Sequence, residues 1–356
     1  MAAKTFLNYI NIFRGLAILL IIAGHSMQIG DTGSLIHKIN CEIVCGGTAL
    51  FIFISGFLFQ HLSSKFEYKT YLSKKWTNVI LPYIFTAIPG ILFCLYCPIL
   101  YKNTFNGLNP IIQIPVLLSI GRVHNTPTWF IPMIVMFFFC SWILLKLEAK
   151  NILYKLLPIM FLITIFLPRG DMEYEMIMGL SYSEKYLAYL SYILIGFVHF
   201  FSLYVFGMFC SKNKNVIDKF YKNRGLLWML MITAAIIDIY LPQQNFTISK
   251  TFLTVLLLGY LKHFDENIIA NKSLNKTLDF IAKYSFGLFF VHWYWLFIFN
   301  YLFQLPNVLP FSFENIVLSI IRFLVVTSMS LISLYGFKSL LLKLNQNINT
   351  RMFLGI

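Results

Sequence analysis

Charge is what this sequence has least of. Only 12% of its 356 residues are Asp, Glu, Lys or Arg, and there are 14 acids against 28 bases. A soluble domain usually carries about twice that share. Hydrophobic residues instead reach 58%, with Phe alone occurring 37 times. That composition excludes an intrinsically disordered chain and argues against an ordinary soluble enzyme. There is no Gly-rich phosphate loop, internal repeat, low-complexity tract or metal-ligand spacing. The six cysteines form no Cys/His metal pattern. Cys94 and Cys97 read as buried thiols of an apolar helix, while Cys41 and Cys45 fall outside the first two apolar runs, where oxidation is open to them. The N-terminal stretch MAAKTFLNYINIF lacks a small-residue cleavage site, so no removed signal peptide is expected.

What the chain does have is long apolar runs, the signature of an all-α, polytopic transmembrane helical bundle. About ten runs approach the ~20 residues a bilayer requires: 9–29, 44–62, 79–100, 127–147, 152–168, 189–211, 225–241, 249–262, 285–303 and 316–344. One membrane domain, 1–356, with no soluble appendage is expected. The net charge of +14 does not imply nucleic acid, because the bases lie in short segments between apolar runs. Nineteen fall on the side of the two termini, six on the opposite side and three within spans. Bases concentrate on the cytoplasmic side, so the reading is a multi-pass protein of the cell (inner, cytoplasmic) membrane with both termini cytoplasmic. Asp171, Glu173, Glu175 and Glu184 then fall in an outer loop, 169–188.

Charges within a bilayer are costly and need a reason. Arg14 lies about five residues into the first run, and His25 follows eleven residues later, just over three helical turns. The two share one helix face, roughly 16 Å apart along the axis. Snorkelling and core packing would also account for them. Around them stand Leu50 to Phe59 with Ser55-Gly56-Phe57 at its centre, Lys74-Lys75 before Pro82-Tyr83, Thr128-Trp129-Phe130, Ser285-Phe286-Gly287-Leu288-Phe289-Phe290-Val291-His292, and a C-terminal Arg351-Met352-Phe353-Leu354-Gly355.

This ordered set resembles the acyltransferase-3 family of integral membrane acyltransferases, which acetylate sugars of surface polysaccharides and related glycans. Arg14 and His25 match its hallmark of an Arg, ten residues and a His. Phe51 to Phe57 match its FFxxSGF-like signature; Lys74, Lys75, Pro82 and Tyr83 its basic pair before Pro-x-Tyr; Ser285 to His292 its late S-[YF]-G-[IL]-[YF]-x-x-H signature. The resemblance runs from about residue 8 to the C-terminus and is nearest the fucose 4-O-acetylase branch. Two departures stand out. Many members place an Asp before FFxxSGF where this chain has Ala49, beside Thr48, so no acid is carried over there as the partner of His25. The first base of the pair is Lys74 rather than Arg, which weakens a bidentate phosphate role.

The resemblance implies acetyl transfer from acetyl-CoA to a glycan or lipid-linked sugar, as in polysaccharide O-acetylation. An alcohol acceptor needs a base, and histidine titrates near working pH. His25 is the catalytic candidate, as base or as acyl carrier. Arg14, Lys74 and Lys75 are the candidates for the donor's phosphates, although Lys74 and Lys75 also suit a positive-inside anchor. Ser55, Trp129, Asp238 and His292 are the acceptor-binding candidates. Asp238 and Glu42 equally suit solvated interfacial acids, Trp129 an aromatic belt, and His292 and His199 core packing. Arg322 reads as a structural partner for Asp238 or Glu42. His37, His61, His124 and His263 are unassigned. No metal is expected; membrane lipid is a partner, and a homo-oligomer is left open. The alternatives are a transporter or flippase of a glycan or lipid-linked sugar, against which the lack of two related halves speaks, and a non-catalytic scaffold of a polysaccharide synthase.

Overall fold

The computed structural model describes residues 7–97, 103–123, 127–167, 177–241 and 244–356. Lys4, Lys102, His124, Arg169, Asp171, Glu173 and Glu175 lie outside the described residues. Among those described there is no β-strand, and one isolated bridge joins Ile29 to Leu309. The chain divides into two compact units. The first comprises Met1–Ser64 and Leu203–Ser333; the second comprises Lys65–Ser202 and Leu334–Ile356.

Seven helical stretches among the described residues are long and apolar enough to cross a membrane: α1 (Asn8–Ser26), Leu35–His61, Tyr68–Tyr96, α7 (Phe130–Ala149), α9 (Tyr182–Lys212), α14 (Lys272–Leu302) and α15 (Phe313–Leu344). The count becomes eight if α10 (Asn215–Lys222) and α11 (Arg224–Tyr240), bent by 77°, form one broken span. The expected count of about ten is not confirmed among the described residues. The run at 152–168 yields only Leu153–Phe166, about 21 Å of helix at ~1.5 Å per residue. The run at 249–262 lies in α12 (Thr247–His263), whose 17 residues include Lys250 and Lys262.

Local chemistry sets the breaks. Leu35–His61 is two helices, α2 (Leu35–Val44) and α3 (Gly47–His61), separated at Gly46, whose φ of 83° is readily adopted only without a Cβ. Tyr68–Tyr96 begins as α4 (Tyr68–Lys75), passes through a π turn at Trp76–Ile80 and continues as α5 (Leu81–Tyr96). Pro82 has no N–H to give the carbonyl four residues back; the chain shifts to an i→i−5 bond, with Leu81 N–H donating to the Trp76 carbonyl.

In the first unit α1 packs chiefly on α14, and the two run parallel. Gly15 lies against Ala282 and His25 against His292, an identical offset of 267 residues at each level. A Cβ on Gly15 would stand 3.2 Å from the Ala282 nitrogen, so glycine permits this backbone approach. Asn8 donates to Asp265 at 3.0 Å and Asn11 to Asp279 at 2.7 Å near the N-terminal ends. The residues α1 turns inward (Ile10, Phe13, Ala17, Ile18, Ile21, Ile22) are 0–6% exposed. Gly56 of α3 and Gly207 of α9 form a second close crossing, each meeting the other helix's backbone. α12 carries Lys250, which donates to the Glu42 carbonyl, and Lys262, which pairs with Asp218 at 2.8 Å.

Candidate active site

His25 occupies the last turn of α1, and His292 lies two-thirds along α14. Their ring centroids are 5.5 Å apart with planes tilted by 30°. Trp293, the next residue of α14, meets the His25 ring edge-on at 5.1 Å. One imidazole thus lies against a second imidazole and an indole. His25 is half-buried, whereas His292 is fully buried.

The protonation pattern of His292 follows from its own helix. Its Nδ1 is 2.8 Å from the Leu288 carbonyl, an oxygen that can only accept, so Nδ1 carries the hydrogen and Nε2 presents a lone pair. Nε2 is buried with no hydrogen-bond partner among the described residues. An unmet buried acceptor is unfavourable; this one is answered when a ligand hydroxyl or another N–H reaches it. Ser285, at the start of the same signature, also has a buried hydroxyl without a partner.

Arg14 stands three turns before His25 and donates to Asn11 Oδ1 at 2.9 Å. Ser55 is half-buried in α3 and donates to the Phe51 carbonyl of its own helix at 2.8 Å. Asp238 lies at the end of α11, where Oδ1 accepts from the Asn245 N–H at 2.6 Å. Glu42 Oε1 accepts from Ser249, Lys250 donates to the Glu42 backbone carbonyl, and Glu42 Oε2 and Asp238 Oδ2 are buried with no hydrogen-bond partner among the described residues. Glu42, Asp238, Ser249 and Lys250 are all at most 7% exposed, so neither acid is a solvated interfacial group. Arg322 does not pair with them: it donates to Asn300 and to three backbone carbonyls.

Lys74, Lys75 and Trp129 belong to the second unit. Lys74 is exposed. Lys75 lies over the Phe138 ring at 4.7 Å and the Tyr71 ring at 5.2 Å, a cation–π seat that fixes its direction. Trp129 is edge-on to Tyr192 at 6.2 Å, and Arg122 covers the Tyr192 ring at 5.4 Å. The short C-terminal helix α16 (Arg351–Leu354) packs on α5, with Phe353 4.8 Å from Phe85. The same helix packs on the π turn at Trp76–Ile80, directly after Lys75, which brings the exposed Arg351 to the end of the stretch that carries Lys75. Neither cation forms an ion pair with a carboxylate among the described residues, an arrangement that suits a phosphate. Residue spacing alone gives no sign of that approach, because 276 positions separate the two.

Of the sequence candidates, the fold joins His25 to His292 and leaves Arg14 on the same helix. Trp293 is the neighbour that sequence reasoning misses, since its contact with His25 depends on how α14 lies over α1.

These features define a multi-pass helical membrane protein with a histidine pair between two parallel helices. The family model described as an acyltransferase domain, that of the acyltransferase-3 family, matches residues 7–337, and the chain belongs to that family. It is a membrane acyltransferase. Comparison with curated proteins and with solved structures gave no match.

Proposed function

We propose that the protein is an O-acetyltransferase that moves an acetyl group from cytoplasmic acetyl-CoA to a sugar hydroxyl of a surface polysaccharide or lipid-linked glycan. The reading places it nearest the fucose 4-O-acetylase branch, in the inner membrane, with both termini cytoplasmic. The observation that carries it is the pair of imidazoles 5.5 Å apart at the end of α1. Such a pair supplies what transfer to an alcohol needs. His25 takes the hydroxyl proton as the sugar oxygen attacks the thioester carbonyl; the carbon–sulfur bond then breaks, and the imidazolium returns its proton to the leaving thiolate. The His292 lone pair accepts a hydrogen bond from the acceptor sugar or from His25 and holds it in line.

The donor side rests on charge. Arg14 is about 16 Å from His25 along α1 at ~1.5 Å per residue, the cytoplasmic end by the distribution of bases. A phosphate-bearing donor with a long thin arm fits a cation at one depth and a base at another. By itself, the second unit carries Lys75 and Arg351, two cations without an acid partner among the described residues, and Lys74 precedes Lys75 on its helix. Comparing the masses of surface glycans from cells with and without the protein tests the reading. A loss of one acetyl per repeat unit is expected; identical masses would refute it.

A further inference from the structure

Arg322 is the largest fully buried side chain among the described residues, at 0% exposure within a membrane-crossing helix. A cation so placed pairs with an acid or with backbone carbonyls. Arg322 forms no ion pair among the described residues, and every acceptor it meets is neutral. Nε donates to the Ser26 carbonyl at 2.6 Å. One terminal nitrogen donates to the Pro306 carbonyl at 3.0 Å and to Asn300 Oδ1 at 3.3 Å; the other donates to the Asn307 carbonyl at 3.1 Å.

The identity of those acceptors is informative. Ser26 ends α1 and directly follows His25. Asn300 lies in the last turn of α14, the helix of His292, and Pro306 and Asn307 form the turn after it. Asn300 also donates to Asn307 Oδ1 at 3.0 Å. The segments beyond the two helices are stitched as well: Gly30 N–H donates to the Leu309 carbonyl at 2.8 Å, and Leu309 N–H to the Gln28 carbonyl at 3.0 Å. By the same 267-residue offset Ser26 stands level with Trp293, so α14 runs on nine residues beyond the end of α1; the guanidinium meets the partial negative charge of the α1 end and also reaches Asn300 and the segment after α14. One guanidinium therefore serves as counter-charge to the end of α1 and as the fork that ties it to the last turn of α14 and the segment beyond. Three turns before Ser26, Gly15 against Ala282 sets the distance. The two histidines lie between these fixed points.

We propose that Arg322 is a positioning residue for the His25–His292 site, holding the two imidazoles in register through neutral acceptors at the end of α1, in the last turn of α14 and in the segment after it. This rests on the acyltransferase reading above. A lysine keeps the charge but offers one point donor, which cannot span acceptors on three segments.

The test uses purified wild type, Arg322→Lys and Arg322→Met in detergent, with melting temperature confirming a folded protein. Acetyl transfer from acetyl-CoA should fall in kcat by about 100-fold in Arg322→Lys, the usual consequence of a displacement near 1 Å. KM for acetyl-CoA should stay within about threefold, since the donor's phosphates are held elsewhere. A second readout needs no activity: the rate at which diethyl pyrocarbonate modifies His25, resolved by peptide mass. It should change at least several-fold in both variants while His61 and His263 react as before. Unchanged His25 modification in both variants, or wild-type kcat in a folded Arg322→Lys, would overturn the proposal. If wild type itself transfers no acetyl group, the acetyl-CoA reading fails, and the modification rates still decide the role of Arg322.

Discussion

Replacing Gly56 with alanine should cost this protein more stability than any single methyl group costs on a lipid-facing surface. A Cβ on Gly56 would overlap the Tyr204 carbonyl oxygen and stand 2.7 Å from the carbonyl carbon and 3.0 Å from the Tyr204 Cα. Ordinary carbon contacts optimise near 3.5–4.0 Å, so α3 and α9 must part by about 1 Å. No rotamer relieves the clash, because the obstacle is backbone. Small-residue crossings of this kind are what let membrane helices approach. Overpacking typically costs ~1–3 kcal/mol, and loss of a Cα–H···O contact at such a crossing adds ~0.5–1 kcal/mol; roughly 3 kcal/mol is expected. Gly336 supplies the control, for a Cβ there meets nothing within 4 Å. Gly336→Ala should gain up to ~1 kcal/mol from helix propensity. Thermal denaturation followed by fluorescence-detected size-exclusion chromatography compares them in one detergent. Gly56→Ala should melt several degrees below wild type and Gly336→Ala at or slightly above it. Equal midpoints for the two variants would refute the argument that the Ser-Gly-Phe signature holds its glycine for packing.

His25→Ala should abolish acetyl transfer while leaving the protein inserted and abundant, checked by turnover of a folded variant; near-normal turnover would remove His25 from the mechanism. Lys75→Gln and Arg351→Gln should each weaken acetyl-CoA binding about tenfold, or ~1.4 kcal/mol, yet leave transfer from acetyl-pantetheine, which lacks the nucleotide phosphates, nearly unchanged. An impermeant maleimide should label a cysteine placed at Asp31 in intact cells but not one placed at Lys222, in a background where the exposed Cys97 is replaced; the opposite pattern would invert the topology.

The helical character and the membrane setting were legible because they depend on composition and run length, which are local. The count of spans was less so. Leu153–Phe166 and Thr247–His263 are apolar enough to attract attention but too short or too charged to meet the length expected of a span, and Gly46 and the π turn at Trp76–Ile80 break runs that look continuous. Arg14 and His25 could be read together because one helix carries both at a fixed period. The meeting of His25 with His292 was not legible as geometry: it depends on α1 and α14 lying parallel at one constant offset, which glycine at position 15 permits and Arg322 secures. Long-range partners were misjudged for the same reason. Arg322 looked like a counter-ion for Asp238 or Glu42, but the fold brings it to the Ser26, Pro306 and Asn307 carbonyls and Asn300, while Glu42 accepts from Ser249 and Asp238 from the Asn245 N–H.

Reconstituted acetyl transfer tests the central claim most directly. Wild type, His25→Ala and His292→Ala are placed in sealed vesicles of known orientation with an acceptor glycan inside and radiolabelled acetyl-CoA supplied to one face. The account predicts labelled glycan from wild type when the donor meets the cytoplasmic face, no product from His25→Ala, and product from His292→Ala reduced by about 10–100-fold, the range for a group that aids proton transfer rather than performing it. Undiminished label from His25→Ala and His292→Ala together, in folded protein, would contradict the assignment of the histidine pair as the site of transfer.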